Sequence, residues 1–466
     1  MPIQIALARF IEQGGDIRGV YPFWYLGTTP YCYVSGPFIP AFIALLHGLM
    51  PDFSLFTIMF GLIGISWLIG GIGVYLLVQE FEGEGSRIDG RSRALAVIVS
   101  LFYLLGPIVP FLFRFTDGLY LISFSILPFT LLLYLKLLKK WTRKRAVTVG
   151  LLTSFVILLN SLIIPALVVG MVSLLLAEGD WDHIERKIKS SCWLLVVSVL
   201  LATVWYTPGY WFTLLGAPSL AGEGLFKVIA SLGKLIPVSL ALAAAIFSIR
   251  LFKRREILRD FAFYWFFIFG FLSLMRFLSD PDFWLDWSAY GLEIQFGMAI
   301  ILALTLLKTK NLILKTSSIL LYFLCFVFVF NTYVSGVLQK DITSTVEYKI
   351  SKQLEQIAKP GEKVLLSGSI VFWLNAFVDV TQVRGGVDQA SKDGSWRQEV
   401  WEIREGEDGI KSLDALKRMG VKYLVVHTED SSESYHDFKY PYKFENLVEL
   451  EKIFEQDGDI IYEITN

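Results

Sequence analysis

Acidic side chains lie in several of the segments between the apolar runs of this sequence, where they could assist a group transfer. Carboxylates at a membrane surface can bind a divalent cation that neutralises a phosphate leaving group, or act as general base towards an acceptor hydroxyl. The candidates for this chemistry are Asp16, Asp117, Asp282, Asp286 and Glu293. The ordinary alternative for each of them is a carboxylate that simply faces water.

Glu293 differs from the others because it lies at the start of an apolar run. An ionisable group within a membrane span is a functional hypothesis by default. Arg114 and Arg276 lie at the ends of two such runs, where a guanidinium can hold a lipid-linked phosphate through charge-assisted hydrogen bonds. Their alternative role is snorkelling to the interface. If a metal ion takes part, we expect Mg²⁺ or Mn²⁺.

The first 40 residues are rich in aromatic residues, glycine and proline. Aromatic faces stack on the apolar faces of sugars, so such a loop can line a groove for a sugar ring or an isoprenoid chain. The alternative is an aromatic belt at the membrane interface. The candidate groove residues are Tyr21, Trp24, Tyr25, Tyr31 and Tyr33.

The elements that must position these residues are membrane helices. Hydrophobic residues make up 54% of the 466 residues, charged residues only 18%, and the mean hydropathy is +0.55. Soluble domains carry roughly a quarter charged residues, so a single soluble globule is excluded. A net charge of −1 gives no basic field for nucleic acid. The sequence also has no P-loop, serine hydrolase or zincin motif.

Apolar runs bounded by charge predict an α-helical polytopic membrane protein with about ten transmembrane helices. The runs cover 54–79, 94–110, 119–138, 146–160, 161–177, 191–207, 229–249, 261–278, 291–307 and 313–335. As one helix, 146–177 would extend for about 48 Å, so we expect a tight turn near Asn160 and Ser161. Three regions follow: an aromatic outer loop with an interfacial helix (1–53), a transmembrane domain (54–335) and a carboxy-terminal domain (336–466).

Lys and Arg are distributed unevenly between alternate loops. One set of loops holds 20 of them, and the opposite set, which includes residues 1–53, holds five. Because basic loops stay cytoplasmic, residues 1–53 and 336–466 are expected outside. An outer amino-terminal segment needs something to carry it across the bilayer, so we expect a further helix upstream of Met1.

Residues 336–466 have the pattern of a soluble α/β domain. Strands are predicted over 363–367, 421–426 and 460–464, and a short amphipathic helix over 411–419 is stopped by Gly420. The region carries 24 acidic and 16 basic residues, and its length suffices for a core of its own. We therefore predict an extracytoplasmic α/β domain.

Several short motifs resemble those of polytopic glycosyltransferases of the GT-C type. The resemblance is greatest to the prokaryotic integral membrane proteins described as 6-pyruvoyl-tetrahydropterin synthase-related, although nothing in the sequence indicates pterin chemistry. The motifs are Phe10 to Gly15, Tyr21-Pro22-Phe23-Trp24, Gly27-Thr28-Thr29-Pro30, Gly36-Pro37, Thr116-Asp117-Gly118, Arg384-Gly385-Gly386 and Gly420 to Val426.

The resemblance implies a multi-pass protein of a prokaryotic plasma membrane. It implies an inverting transferase that takes a sugar from a polyprenyl-phosphate-linked donor and passes it to a glycan, lipid or protein outside. In that superfamily an acidic residue just after the first transmembrane helix is the expected catalytic group, and this chain begins beyond that point. The alternative is a non-catalytic membrane protein, either flippase-like or an assembly partner for envelope glycans.

Overall fold

The computed structural model describes residues 2–16, 18–25, 27–28, 36–82, 90–115, 118–179, 183–211, 256–278, 290–332, 341–386, 395–433 and 435–465. Contacts between the α-carbons divide the chain into two compact units. One unit, called here the α/β unit, consists of Met1–Tyr33, Ile39–Ile58 and Gln339–Asn466. The other, the helical unit, consists of Val34–Phe38 and Met59–Leu338.

The helical unit is built from long apolar helices. In chain order, after α1 (Pro2–Glu12) and α2 (Phe38–Leu49), they are α3 (Leu55–Glu82), α4 (Gly90–Leu104), α5 (Ile108–Phe115), α6 (Gly118–Lys139), α7 (Arg143–Leu159), α8 (Ile164–Glu178), α9 (Ile184–Ala202), α10 (Ile257–Leu278), α11 (Gly291–Lys308) and α12 (Leu312–Phe330). The last residues of α2 and the first of α3 belong by their contacts to the α/β unit.

Six segments among the described residues are long and apolar enough to cross a membrane. They are Leu55–Glu82, Gly90–Leu112, Gly118–Lys139, Ser161–Glu178, Ile257–Leu274 and Gly291–Lys308. The prediction of a polytopic helical membrane protein is confirmed. The predicted span over 229–249 lies outside the described residues, so the total of about ten stays a prediction.

The predicted break near Asn160 is present. Helix α7 ends at Leu159, and a short 3₁₀ turn, Ser161–Ile163, leads into α8. The Asn160 side chain accepts a hydrogen bond from the Leu162 amide at 3.0 Å, which satisfies a donor freed by the break. Helix α7 then packs mainly against α6 and α9, whereas α8 packs mainly against α6 and α10.

The α/β unit contains a five-stranded mixed sheet. The strands are β1 (Lys363–Leu365), β2 (Thr381–Gln382), β3 (Val421–His427), β4 (Leu450–Gln456) and β5 (Asp459–Ile464), in the order β2-β1-β3-β5-β4. Strands β2, β1 and β3 are parallel, while β5 is antiparallel to β3 and β4. The helices of this region are α13 (Val346–Ile357), α14 (Ile370–Phe377), α15 (Trp396–Glu405) and α16 (Gly409–Met419).

Both faces of the sheet are covered. Tyr423 and Val425 of β3 pack with α13 and α14 on one face, while Leu424 and Val426 pack with α15 and α16 on the other, as the two-residue period of a strand requires. Gly420 ends α16 with a φ of +69°, a conformation that glycine adopts without strain. The predicted strands 421–426 and 460–464 and the predicted helix over 411–419 are therefore present.

The boundary of this unit differs from the predicted division, which treated residues 1–53 as a separate loop. Ala6 and Leu7 of α1 belong to the same buried core as Leu424 of the central strand, and α1 packs along α14. Two early segments, 1–33 and 39–58, thus complete a fold whose sheet lies more than 300 residues later. The predicted short helix after Gly36 is present as α2.

Candidate functional site

Only some of the predicted site residues fall within the described part of the chain. Residues Asp117, Asp282, Asp286, Tyr31 and Tyr33 lie outside it. Arg114 belongs to α5 and Arg276 to α10, but their side chains are not among those described. The geometry of the site therefore rests on Asp16, the aromatic residues before position 26, and Glu293.

Asp16 forms a local turn. Its side chain accepts a hydrogen bond from the Arg18 amide at 2.8 Å, and its carbonyl accepts one from the Gly19 amide at 2.9 Å. This is the self-bonding by which aspartate stabilises turns. The carboxylate is exposed to solvent, so in this structure Asp16 serves a turn and is not held against a partner group.

The aromatic residues predicted to line a groove are core residues instead. Tyr21 and Trp24 are 1% and 0% exposed, and Tyr25 is 7% exposed. Tyr21 packs on Trp24 with ring centroids 4.6 Å apart, and Tyr25 packs on Trp396 at 5.1 Å. Burial raises the pKa of the Tyr21 hydroxyl well above its ordinary value. Neither a groove nor an interfacial belt describes these three residues.

A hydrogen-bond network explains why this loop is buried. The Trp24 indole donates to Asn375 Oδ1 at 2.7 Å, and Gln382 Nε2 donates to the same oxygen at 2.7 Å. The Gln382 amide in turn donates to the carbonyl of Phe23 at 2.9 Å. Gly385 packs so closely on the indole that an added Cβ would lie 2.6 Å from Trp24 Cβ, which accounts for the glycine in the Arg384-Gly385-Gly386 motif.

Glu293 lies in the first turn of α11 and is completely buried in the helical unit. One carboxylate oxygen accepts a hydrogen bond from the Tyr120 hydroxyl at the start of α6. Its carbonyl accepts a hydrogen bond from the Trp265 indole of α10 at 2.6 Å. Three helices thus hold one carboxylate among apolar side chains, where an acidic group is costly and its retention suggests a function.

Gln295, two residues further along α11, bridges the break between α4 and α5. Its Oε1 accepts from the Ile108 amide at 2.9 Å, and its Nε2 donates to the Tyr103 carbonyl at 3.3 Å. Backbone groups freed inside a membrane must find partners within the protein. Gly106 allows this approach, because a Cβ there would lie 1.7 Å from Gln295 Nε2. The sequence analysis did not identify Gln295.

Arg276 and Glu293 lie at different levels of the helical unit. Phe269 of α10 packs on Tyr290, just before α11, with ring centroids 5.4 Å apart. Helix α11 therefore begins level with Phe269, and Arg276 lies seven residues beyond it, about 10 Å further along α10. Any group that contacts both side chains must extend across this distance.

A second polar cluster, also missed in the sequence, lies at the carboxyl ends of β1 and β3. Ser367 Oγ donates to Asp437 at 2.5 Å and accepts from Arg384 at 2.9 Å. Ser369 Oγ contacts Glu433 Oε2 at 2.8 Å. Ligands of parallel α/β sheets commonly bind at this edge. Here the polar groups pair mainly with one another, as expected of a network that fixes the loops.

The fold is similar to that of solved membrane transferases. ArnT from Cupriavidus metallidurans, in a structure bound to undecaprenyl phosphate, gives a TM-score of 0.55 at 12% identity, with 99% of this chain and 92% of that chain covered. The oligosaccharyltransferase of Archaeoglobus fulgidus in the apo form gives 0.53 at 14%, covering 91% and 65%. Arabinofuranosyltransferase AftD from Mycobacteria gives 0.53 at 14%, covering 100% and 38%.

This chain spans slightly less than two thirds of the length of the oligosaccharyltransferase structure and 38% of that of AftD. No family model matches the sequence, and no curated protein matches it. At identities of 12–14%, the likeness shows the fold. The chain is a multi-pass membrane protein with the architecture of the GT-C glycosyltransferases, a helical membrane region joined to a small α/β unit.

Proposed function

We propose that this protein is a membrane glycosyltransferase that moves a sugar from a polyprenyl-phosphate-linked donor to an acceptor hydroxyl on the outer face of a prokaryotic plasma membrane. The observation that carries the proposal is the structural match to ArnT over nearly the full length of both chains. The ArnT structure contains undecaprenyl phosphate, which is the type of lipid that the proposed donor carries. The resemblance of the outer-loop motifs to the same superfamily supports this assignment.

In the proposed reaction, the acceptor oxygen attacks the anomeric carbon of the sugar. The bond from that carbon to the lipid phosphate breaks, the phosphate leaves with the bonding electrons, and a carboxylate takes the hydroxyl proton. Asp16, Asp117, Asp282, Asp286 and Glu293 are the candidate bases. Arg276 and Arg114 are the candidates for holding the donor phosphate, because bidentate guanidinium groups suit phosphate oxygens.

Glu293 is the best-supported base among the described candidates. Burial in an apolar surrounding disfavours the charged carboxylate and makes it a better proton acceptor, and the Tyr120 hydroxyl fixes its orientation. The proposed participation of Mg²⁺ or Mn²⁺ depends on residues outside the described ranges. Within those ranges no group of three metal-binding side chains lies together, so we assign no step to a metal.

The test is sugar transfer by the purified full chain in lipid nanodiscs, with a series of polyprenyl-phosphate sugars as donors. Glu293→Gln keeps an oxygen that can accept from Tyr120 but cannot take a proton. If Glu293 is the base, turnover should fall by roughly 10²–10⁴ while donor binding is retained. Asp16→Asn should leave turnover nearly unchanged, since Asp16 forms a turn.

Asp260 provides a matched control. It is a carboxylate with 5% exposure in the first turn of α10, and it pairs with Arg259 at 2.9 Å. Asp260→Asn changes the charge of the helical unit as Glu293→Gln does, but at the opposite end of α10. Equal losses of transfer in the two variants would show that Glu293 acts through stability and not as a base.

The alternative of a non-catalytic membrane protein is favoured by one observation. The aromatic residues expected to hold a substrate are buried, and the described outer-loop acid, Asp16, forms a turn. A wild-type chain that binds a polyprenyl-phosphate sugar without transferring it to any acceptor would support this alternative.

A further inference from the structure

A groove of about 410 Å³ runs between α7 and α9 in the helical unit. Its apolar walls include Val147, Leu151, Trp193, Val197 and Leu201, which are between 45% and 69% exposed. Gly150 keeps the groove open, because a Cβ there would meet nothing within 4 Å except Ser198 Oγ at 3.9 Å. Its volume lies in the range of ordinary ligand sites.

The two helices run in the same direction. Ser198 Oγ donates to the Gly150 carbonyl at 3.1 Å, and the hydroxyl of Tyr206, just beyond α9, donates to the Leu158 carbonyl at 3.5 Å. Both pairs are 48 residues apart in sequence, and a constant offset at two levels requires parallel helices. The amino termini of α7 and α9, which carry the positive ends of the helix dipoles, therefore lie at the same end of the groove.

That end is basic. Arg143 precedes Val147 and Gly150 by four and seven residues, and Arg186 precedes Ser190 and Trp193 by the same spacings. Residues at these spacings share a helix face, so both arginines lie on the groove face, one turn beyond its end. Both are exposed. The groove thus joins an apolar channel to a pair of guanidinium groups.

The length of the groove matches one leaflet of a bilayer. Along α9 it extends from Ser190 to Leu201, which is about 16 Å of helix, or half of the roughly 30 Å hydrocarbon core. Trp193 near the basic end suits the interface between headgroups and chains, where tryptophan is enriched. An apolar ligand with a negative headgroup and a chain one leaflet long fits these dimensions.

We propose that the groove between α7 and α9 binds one anionic phospholipid, with its phosphate between Arg143 and Arg186 and one acyl chain along Gly150. This site is separate from the candidate catalytic residues, and the proposal does not depend on the transferase function. A polyprenyl phosphate shares the headgroup charge, but its chain is longer than one leaflet and fits the groove less well.

Native mass spectrometry of the purified full chain can count the bound lipids during a titration. Phosphatidylglycerol should bind at one site at least about tenfold more tightly than phosphatidylcholine. In Gly150→Leu, where the new side chain fills the groove, this tight binding should weaken at least about tenfold. Gly64→Leu is the matched control, since Gly64 is exposed on α3 with nothing within 4 Å of an added Cβ.

The headgroup contacts are tested by the double variant Arg143→Gln/Arg186→Gln. A basic residue at an anionic membrane surface strengthens binding roughly fivefold, so the double variant should lose more than tenfold in affinity for phosphatidylglycerol. Arg91→Gln/Arg93→Gln, with two exposed arginines at the start of α4, removes the same charge elsewhere and should bind like the wild type.

Several results would overturn the proposal. One is equal affinity for the two phospholipids, and another is unchanged binding in Gly150→Leu. Displacement of phosphatidylglycerol by an equimolar polyprenyl phosphate would assign the groove to that lipid instead. A disulfide between two copies of a Val147→Cys variant, with a dimer in the mass spectrum, would show that a second copy of the chain covers the groove.

Discussion

Replacement of Trp24 by alanine should strongly destabilise the α/β unit. The indole is completely buried, and removal of a buried tryptophan side chain costs about 3–5 kcal/mol. Its hydrogen bond to Asn375 Oδ1 is lost as well, but Gln382 still donates to that oxygen, which limits the additional cost to about 1 kcal/mol. We therefore expect a loss of about 4–5 kcal/mol from the free energy of unfolding of this unit.

Hydrogen exchange of the backbone amides measures this loss in the full-length protein. Amides of the central strand β3 exchange only when the unit opens, and each 1.4 kcal/mol changes the open population tenfold. Their protection should fall about 10³-fold in Trp24→Ala. In Trp24→Phe, which keeps most of the apolar volume but not the indole N–H, it should fall about tenfold.

Trp401 is the matched control. It belongs to α15 of the same unit but is 56% exposed, and surface substitutions usually change stability by no more than about 0.5 kcal/mol. Trp401→Ala should therefore change the protection of β3 less than about threefold. Similar protection in Trp24→Ala and Trp401→Ala would refute the conclusion that the amino-terminal loop is part of this core.

Three further predictions concern other parts of the chain. Gly106→Ala should displace the Gln295 side chain, since a Cβ there would overlap it, and should lower the thermal stability of the helical unit in detergent. Burial lowers the pKa of Lys443 to about 8 from 10.5, so the unfolded chain binds more protons between these values. Stability of the α/β unit should therefore rise between pH 7.5 and 9.5 in denaturant titrations, and Lys443→Met should reduce that rise. In intact cells, an impermeant maleimide should label a cysteine at Glu407 but not one at Lys144; the reverse result would invert the expected orientation.

The membrane class could be predicted because burial in lipid leaves a continuous apolar signal in the sequence. The break at Asn160 followed from length alone, since one helix over 146–177 would exceed the bilayer. In the α/β unit, the buried strand Val421–His427 and the left-handed Gly420 are both visible locally. These features depend on residues that are neighbours in the chain.

Strand β4 was missed because it is an edge strand. It pairs only with β5, and its sequence, Leu450–Gln456, is mostly exposed and charged, so it has little of the apolar alternation that marks a strand. The burial of Trp24 was missed for a different reason. Its partners Asn375 and Gln382 are more than 350 residues away, and an aromatic loop has the same local pattern whether it lines a groove or fills a core.

The candidate site was predicted in part. Glu293 was identified because a carboxylate in an apolar run is conspicuous. Its partners Tyr120 and Trp265 were not, since tyrosine and tryptophan are common in membrane helices and nothing in their neighbourhood indicates a polar contact. Which helices meet is decided by tertiary packing, and the single sequence does not contain that information in a local form.

The composite origin of the α/β unit has a consequence for biosynthesis. Trp24 leaves the ribosome 351 residues before Asn375, which at about 5–20 residues per second is a delay of roughly 20 to 70 s. Strand β5, which lies between β3 and β4 in the sheet, is among the last segments translated. The early aromatic loop must therefore wait, without its partners, until the membrane helices have been inserted. A nascent chain that stalls before β5 would present this loop to the quality-control machinery of the cell.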